Sequence, residues 1–218
     1  LTYGTLMTTK IENMKNQHTA ILEGSAQADT GASQEEEAVA APEKQYGFLA
    51  VCAGDGIAAV FKDLGVDGII SGGQTMNPST ESILKEINRT PSQVVFVLPN
   101  NKNIILAAQQ CVGLTEKDVV VVPTATIPQG ISAMMSVDTE AAKEDILAAM
   151  TDAMERVAPA QITYAARNSD FDGFTINEGD YLALLEGKLF GTDRDITVLL
   201  RKLAEEAREK NTEFLTVF

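Results

Sequence analysis

Four apolar runs, each followed by a turn and then by a helical pattern, constrain the fold of this 218-residue chain more than any other feature. Each run is nearly continuous in apolar residues instead of alternating, which is typical of a strand buried on both faces. The runs are Tyr46–Ala53, Asp67–Ile70, Gln93–Leu98 and Val119–Val122. Strands of this kind that alternate with helices form a parallel sheet with helices on both faces. The sequence therefore predicts an α/β subdomain over residues 45–136.

A different pattern follows in residues 137–218. Apolar residues at helical spacing predict a long amphipathic helix from Thr139 to Val157. Short segments separated by glycine turns then predict a small antiparallel β meander, followed by another helix through Leu199. The last residues, Glu213–Phe218, have the composition of a strand. We therefore expect a helix-plus-antiparallel-β subdomain that is truncated at its C-terminus.

Residues 1–44 lack any comparable pattern. Residues 1–18 contain one short β-like piece, and we expect them to be the remnant of a preceding middle domain. Residues 19–44 are rich in Ala, Gly, Ser, Gln and acidic residues, and they contain no aromatic residue. Such a stretch buries too little apolar area to offset its ordering entropy. The prediction is an acidic flexible linker, with a binding tail as the alternative.

The charge balance excludes several classes of partner. A net charge of -14 and a sequence pI near 4.4 argue against nucleic acid and anionic membranes, which require clustered Lys and Arg. An acidic surface suits solubility or a partner with a basic face. No apolar run approaches the roughly 20 residues of a transmembrane helix. These observations favour a cytoplasmic location.

Cysteine and histidine usage argues against a disulfide framework and against a zinc site. Cys52 lies in an apolar strand pattern and Cys111 ends a helical one, so both are expected to be buried small hydrophobes. His18 is the single histidine, and the sequence has no CxxC pair. We therefore expect no metal bound by this chain alone.

The loop Gly72–Thr80 carries the strongest local signal for a binding surface. Its two glycines permit a tight turn, Asn77 can cap the next helix, and Pro78 fits the first helical position. A loop of this kind points backbone N–H groups and hydroxyls at whatever lies above the strand end, and the helix dipole favours an anionic or carbonyl group there. The alternative is a well-capped turn without a ligand.

Similar polar loops follow all four predicted strands. Because ligands of open α/β sheets bind beyond the carboxyl ends of the strands, we expect these loops to converge on one rim. The candidate ligand- or partner-binding residues are Asp55, Gln74, Thr75, Asn77, Ser79, Thr80, Asn100, Asn101, Asn103, Thr124, Thr126 and Gln129. Asp55 is the only acid among them, and Lys102 is the nearest base. Such a rim holds a partner or ligand and offers no pair of groups for proton transfer, so no catalytic residue is predicted.

Nucleotide motifs are missing from these loops. Gly54-Asp55-Gly56 follows a strand and opens a helix, but it does not extend to GxGxxG, and GxxxxGK[ST] does not occur in the chain. The residues instead resemble a known family. Its C-terminal region is similar to residues 45–218 through Gly54-Asp55-Gly56-Ile57, Gly72–Thr80, Leu98–Asn103 and Val122–Gly130. The family is the ATP-binding subunit of bacterial fatty acid kinase, whose N-terminal domain is dihydroxyacetone-kinase-like.

The resemblance implies a function for the chain. ATP and Mg²⁺ would belong to a missing N-terminal domain, with no cofactor in this region. The region would have a DegV-like fold and would dock a separate fatty-acid-binding protein of the DegV type, whose acyl carboxylate is phosphorylated. The loop Gln74–Thr80 is similar to the shorter loop that holds a carboxylate in DegV-type proteins, so direct binding of a fatty acid is the alternative. Homodimerisation is left open.

Overall fold

A four-stranded parallel sheet lies at the centre of the structure. It consists of β1 (Lys44–Cys52), β2 (Gly68–Ser71), β3 (Ser92–Leu98) and β4 (Asp118–Val121). The spatial order is β2-β1-β3-β4, with all neighbours parallel. This computed structural model describes residues 39–73, 76–171, 173–210 and 212–217 of the chain. The predicted parallel sheet is confirmed, and it forms because each strand is apolar enough to be covered on both faces.

The helices of this part of the chain follow the strands. They are α1 (Asp55–Asp63), α2 (Thr80–Arg89), α3 (Lys102–Cys111), α4 (Ile127–Met135) and α5 (Lys143–Glu155). Helix α5 corresponds to the predicted long helix, and it packs against α4 on the parallel sheet. None of the helices that the structure describes is long and apolar enough to cross a membrane.

Two hydrophobic cores cover the two faces of the sheet. Alternate residues of each strand point to opposite faces. Phe48 and Phe96 stack at 5.3 Å between ring centroids, on the face that α1, α4 and α5 cover. Leu49 and Val97 point to the other face, where they meet Ile83 of α2 and residues of α3. The layering therefore places α2 and α3 side by side on one face and α1, α4 and α5 on the other.

The amino end of the sheet is held by main-chain contacts from the segment that precedes β1. The amide of Ala40 donates to the carbonyl of Asn88 at 2.8 Å, and the amide of Glu43 donates to that of Pro91 at 2.9 Å. The predictions for residues 1–38 lie outside the described residues. Both cysteines are free and buried, as predicted.

Lys117, just before β4, caps the C-terminal end of α2. Its ammonium donates to the carbonyl oxygens of Ile87 at 3.1 Å, Asn88 at 3.0 Å and Thr90. These carbonyls carry the negative end of the helix dipole, so a cation is well placed there. Partial burial lowers the pKa of Lys117. The contact ties α2 to the loop that leads into β4.

Replacing Lys117 with Met is expected to lower the free energy of unfolding by about 1 to 2 kcal/mol, because three carbonyl oxygens at a part-buried helix end would lose the ammonium donor and keep only a backbone amide as partner. Chemical denaturation followed by circular dichroism would measure the loss. Lys62→Met, at the end of α1, is the matched control, because Lys62 is exposed. Equal effects of the two substitutions would contradict the capping role.

The second part of the chain forms the predicted small antiparallel sheet and terminal helix. Its strands are β5 (Ala160–Tyr164), β6 (Ser169–Phe171), β7 (Phe174–Ile176), β8 (Tyr181–Leu185) and β9 (Lys188–Asp193). β5, β8 and β9 form one sheet in the order β5-β8-β9, and β6 pairs with β7 as a separate hairpin. Helix α6 (Ile196–Glu209) packs on β8 and β9 through the buried Leu199.

The predicted strand over Glu213–Phe218 is wrong for the part that the structure describes. Residues 213–217 form no strand, and Phe214 and Leu215 are exposed. Strand propensity reflects packing against neighbouring strands, and among the described residues no strand pairs with this segment.

Asp180 organises the turn between β7 and β8. Its Oδ2 accepts from the amide of Asn177 at 2.8 Å and from the side-chain Nδ2 of Asn177 at 3.0 Å. Its Oδ1 accepts from Nε of Arg194 at 3.4 Å. The carboxylate is buried. The backbone hydrogen bond from Asn177, followed by the Asn177 and Arg194 side chains, lowers the pKa of Asp180.

The lowered pKa of Asp180 predicts an acid-dependent loss of stability. Because the folded-state value lies below the unfolded value, the stabilisation is complete above about pH 4 and is lost as the pH falls through the folded value. Asp180→Asn should therefore lower the melting temperature most at pH 7 and least near pH 3. Melting of the exposed control Asp170→Asn should follow the unmodified protein at both values. A pH-independent effect of Asp180→Asn would contradict this account.

Candidate functional site

The carboxyl ends of the four parallel strands lie at one edge of the sheet, and the loops that follow them form a rim. The loops begin after Cys52, Ser71, Leu98 and Val121. In the order β2-β1-β3-β4 the chain changes direction between β1 and β3, which is where open α/β sheets bind ligands. The sequence-predicted candidates whose placement the structure describes lie in these loops or in the first turns of the helices that follow.

Asn100, directly after β3, joins three of the four strand ends. Its side-chain Nδ2 donates to the carbonyl of Val51 in β1 at 3.0 Å. Its backbone amide donates to Oγ1 of Thr124, after β4, at 3.1 Å. Its φ of 54° lies in the left-handed region, which asparagine tolerates better than most residues. Asn100 and Thr124 are both buried, so they position the rim from below.

The remaining polar atom of Asn100 points at helix α4. Oδ1 is buried and has no hydrogen-bond partner among the described residues. It occupies the place where a side chain at Gly130 would begin, because a Cβ there would collide with Oδ1. Gly130 is in the first turns of α4, whose positive end favours a carbonyl oxygen. Glycine at position 130 is therefore what lets α4 approach the Asn100 side chain.

Asn101 joins the loop after β3 to the loop after β2. Its Nδ2 donates to the carbonyl of Gly73 at 3.4 Å, and its Oδ1 caps α3 by accepting from the amide of Asn103 at 2.9 Å. Gly73 in turn donates to the carbonyl of Met76 at 2.9 Å and so closes the loop on itself. A Cβ at Gly72 would lie 2.6 Å from Cδ of Pro78, so this turn also requires glycine.

Other candidates serve as helix caps. Ser79 accepts from the amide of Ser82 at 3.1 Å at the start of α2. Thr126 caps α4, and Oε1 of Gln129 accepts from the amide of Ala125 at 2.9 Å. Each of these oxygen atoms already accepts one hydrogen bond, so these side chains help to fix the shape of the rim. The second lone pair of each oxygen is left for a bound ligand or partner.

One further candidate, Thr80, joins the start of α2 to the C-terminal end of α3. Oγ1 of Thr80 donates to Oε1 of Gln110 at 3.3 Å, and its carbonyl lies 3.5 Å from the Sγ of Cys111. Burial raises the pKa of the Cys111 thiol, and it does the same for Cys52 at the end of β1. Both thiols are held in their protonated, unreactive form.

The candidates that face solvent are Asp55, Asn77, Ser79 and Asn103. Gln74 and Thr75 lie outside the described residues. No group of three His, Cys, Asp or Glu side chains that could hold a metal ion occurs among the residues whose placement is described. The outward chemistry of the rim is therefore that of amides, hydroxyls and a single carboxylate at Asp55.

The turn between β8 and β9 was not predicted to approach the rim. A Cβ at Gly187 would lie 3.3 Å from Nζ of Lys102, the first residue of α3. Glu186 and Gly187 have φ values of 53° and 80°, the left-handed pair of a two-residue hairpin turn. The glycine signalled the turn in the sequence, but nothing in the sequence signalled its neighbour across the fold.

Gly130→Ala is expected to lower the free energy of unfolding by about 1 to 3 kcal/mol, because the new methyl group would displace the buried Asn100 side chain. Urea denaturation would measure the loss. Gly113→Ala is the matched control, because a Cβ at Gly113 meets nothing within 4 Å. If Gly130→Ala were as mild as Gly113→Ala, the contact with Asn100 would not constrain α4.

Comparison with known proteins places the chain among sequences of one family. A family model that describes the C-terminal region of FakA-like fatty acid kinase proteins matches residues 47–218. The chain is 38% identical over 216 residues to the protein YloV of Bacillus subtilis, and 38% identical over 215 residues to an uncharacterized protein of Staphylococcus epidermidis. It is 36% identical over 218 residues to an uncharacterized protein of Staphylococcus aureus. Each match covers 99% of this chain and 38% of the relative's length.

Proposed function

Because the chain belongs to the FakA-like C-terminal family of fatty acid kinase proteins, we propose that it is a non-catalytic docking region of a two-component fatty acid kinase. In this proposal a separate fatty-acid-binding protein of the DegV type lies across the loop rim. Its acyl carboxylate is then phosphorylated by ATP and Mg²⁺ held outside residues 1–218. The chain spans about 38% of the length of the relatives it matches, and we propose the kinase activity for proteins of that full length.

The observation that carries the proposal is that Asn100 and Asn101 join the end of β1 to the loops that follow β2, β3 and β4. The side chain of Asn100 donates to β1, and its backbone amide donates to the loop after β4. The side chain of Asn101 donates to the carbonyl of Gly73 in the loop after β2. Loops tied together in this way keep one arrangement before a partner arrives, so little ordering entropy is lost on binding. A pre-organised rim suits a surface that a folded protein contacts as a unit.

The chemistry of the outward groups supports docking in preference to catalysis. Asn77 and Asn103 offer exposed amides, which donate and accept hydrogen bonds but do not exchange protons near neutral pH. Asp55 supplies an exposed carboxylate in the first turn of α1. Groups of this kind fix the orientation of a bound surface.

A second candidate function is direct binding of a fatty acid carboxylate at the loop 72–80. The observation that favours it is the position of Ser79 at the start of α2, with the tight turn of Gly72 and Gly73 beside it. Free amides at the positive end of a helix attract a carboxylate. Native mass spectrometry of the purified chain distinguishes the candidates, since only direct binding leaves a fatty acid on the chain itself.

Docking on the rim predicts that its exposed amides contribute to the affinity for the DegV-type fatty-acid-binding protein (the carrier) when that protein holds a fatty acid. Asn77→Ala and Asn103→Ala should each weaken binding about threefold to tenfold, the usual effect of losing a hydrogen bond. Isothermal titration calorimetry with the carrier would measure this loss. Both side chains are exposed, so the fold should be unaffected.

Gln93→Ala is the matched control for these substitutions. It removes an exposed amide near the amino end of β3, at the opposite edge of the sheet from the rim. Its affinity should equal that of the unmodified chain. Failure of the unmodified chain to bind the carrier would refute docking, and equal losses in all three variants would remove the rim as the docking surface.

A further inference from the structure

The loop after β2 adds one apolar side chain to the polar rim. Met76 is 77% exposed, a larger fraction than that of any other large hydrophobic side chain that the structure describes before residue 211. Its main chain is held in place, because its carbonyl accepts from the amide of Gly73 at 2.9 Å, and Asn101 donates to the carbonyl of Gly73. Single exposed hydrophobic residues are ordinary on protein surfaces, so the surroundings of Met76 must show whether it has a role.

The stretch that carries Met76 is uncharged. Residues 71–80 contain no Asp, Glu, Lys or Arg, within a chain of net charge -14. The next residue, Asn77, exposes an amide that can donate and accept hydrogen bonds. At the centre of protein interfaces charged residues are depleted and methionine is enriched. Because a thioether side chain is flexible and unbranched, it can fill pockets of varied shape.

A patch of small residues borders this loop. The loops after β1 and β2 touch, since the amide of Gly72 donates to the carbonyl of Cys52 at 3.1 Å, and a Cβ at Gly73 would lie 3.3 Å from Cβ of Ala53. Residues 53–56 are Ala-Gly-Asp-Gly, and all four are exposed. The main chain at the end of β1 is therefore open to a partner that contacts the loop of Met76.

Gly56, the second residue of α1, is a glycine that packing within the chain does not explain. A Cβ there would meet nothing within 4 Å among the described residues, and its φ lies outside the left-handed region. Glycine makes a helix less stable than alanine does. Glycine is also the residue that permits another molecule to approach the backbone closely. The space above Gly56 therefore suits a partner in close contact.

We propose, on the basis of the docking function given above, that Met76 inserts into an apolar pocket of the carrier while the main chain of the carrier approaches Gly56. The centre of the contact is then on the β1–β2 side of the rim. Burial of the Met76 side chain is its main source of affinity, because interfaces draw most of their affinity from a few fully desolvated side chains. The amides around Met76 fix the orientation of the carrier.

Isothermal titration calorimetry of the 218-residue chain with the carrier, loaded with palmitate, tests the proposal. Met76→Gln keeps the length of the side chain and replaces its apolar end by an amide, so it should raise the dissociation constant roughly tenfold or more. Met135→Gln is the matched control. Met135 is also exposed, at 72%, and it is the last residue of α4, at the end of the helix that points away from the rim.

Gly56→Gln separates carrier binding from folding. Its melting temperature should equal or exceed that of the unmodified chain, because the new side chain has open space and glutamine favours a helix more than glycine does. Its dissociation constant for the carrier should nevertheless rise roughly tenfold, because the side chain fills the space that the carrier needs. Gly113→Gln is the matched control, since a Cβ at Gly113 also meets nothing within 4 Å.

Oxidation of methionine gives an independent measurement. Hydrogen peroxide transfers one oxygen atom to the thioether, which becomes a sulfoxide, and the peroxide is reduced to water. Because the sulfoxide is polar, the peroxide-treated chain should bind the carrier more weakly. Met76→Leu should keep its affinity after this treatment, whereas Met135→Leu should lose affinity as the unmodified chain does.

Failure of the proposed anchor can be distinguished from failure of docking. If the unmodified chain does not bind the carrier, both are refuted. If it binds, and Met76→Gln or Gly56→Gln has the affinity of its control, docking remains and the contact proposed for Met76 and Gly56 is overturned. Circular dichroism confirms that each variant is folded.

Discussion

The rim of this protein depends on one buried amide, that of Asn100. Four strand ends arrive at one edge of a parallel sheet, and their loops must be held at fixed distances if they are to act together. Asn100 does this for three of the four strand ends, donating once through its side chain and once through its backbone amide from the left-handed region of φ/ψ space. A buried polar group that is bonded to several elements resists their separation, because each broken bond would leave an unsatisfied group behind.

The same residue sets the position of helix α4. Its Oδ1 fills the space that a side chain at position 130 would need. Helix α4 therefore lies closer to the sheet than it could if position 130 were any residue other than glycine. Helix α5 then packs on α4 and completes the core that Phe48 and Phe96 begin. The positions of α4 and α5 on the sheet therefore depend on the contact between Asn100 and Gly130 at its edge.

Sequence patterns predicted the strands and helices of the parallel sheet well, because continuous apolar runs leave few alternatives to burial on both faces. Convergence of the loops could also be predicted, since the carboxyl ends of parallel strands share an edge. The different roles of the individual rim residues could not be predicted. Composition made Asn100 and Asn103 look equivalent, whereas one is buried and bonded to two strand ends and the other faces solvent. Strand propensity in residues 213–217 was misleading for a related reason, since a strand requires a neighbour that no local pattern reveals.

Helix α3 links the rim to the hydrophobic core of the sheet. Its capping residue Asn101 donates to the carbonyl of Gly73, and Ile104, in the first turn of the helix, is fully buried against the sheet. Because the packing of Ile104 fixes the start of α3, it also fixes the residue that ties the loop after β3 to the loop after β2. The geometry of the rim therefore depends on the core beneath it as well as on the hydrogen bonds of Asn100.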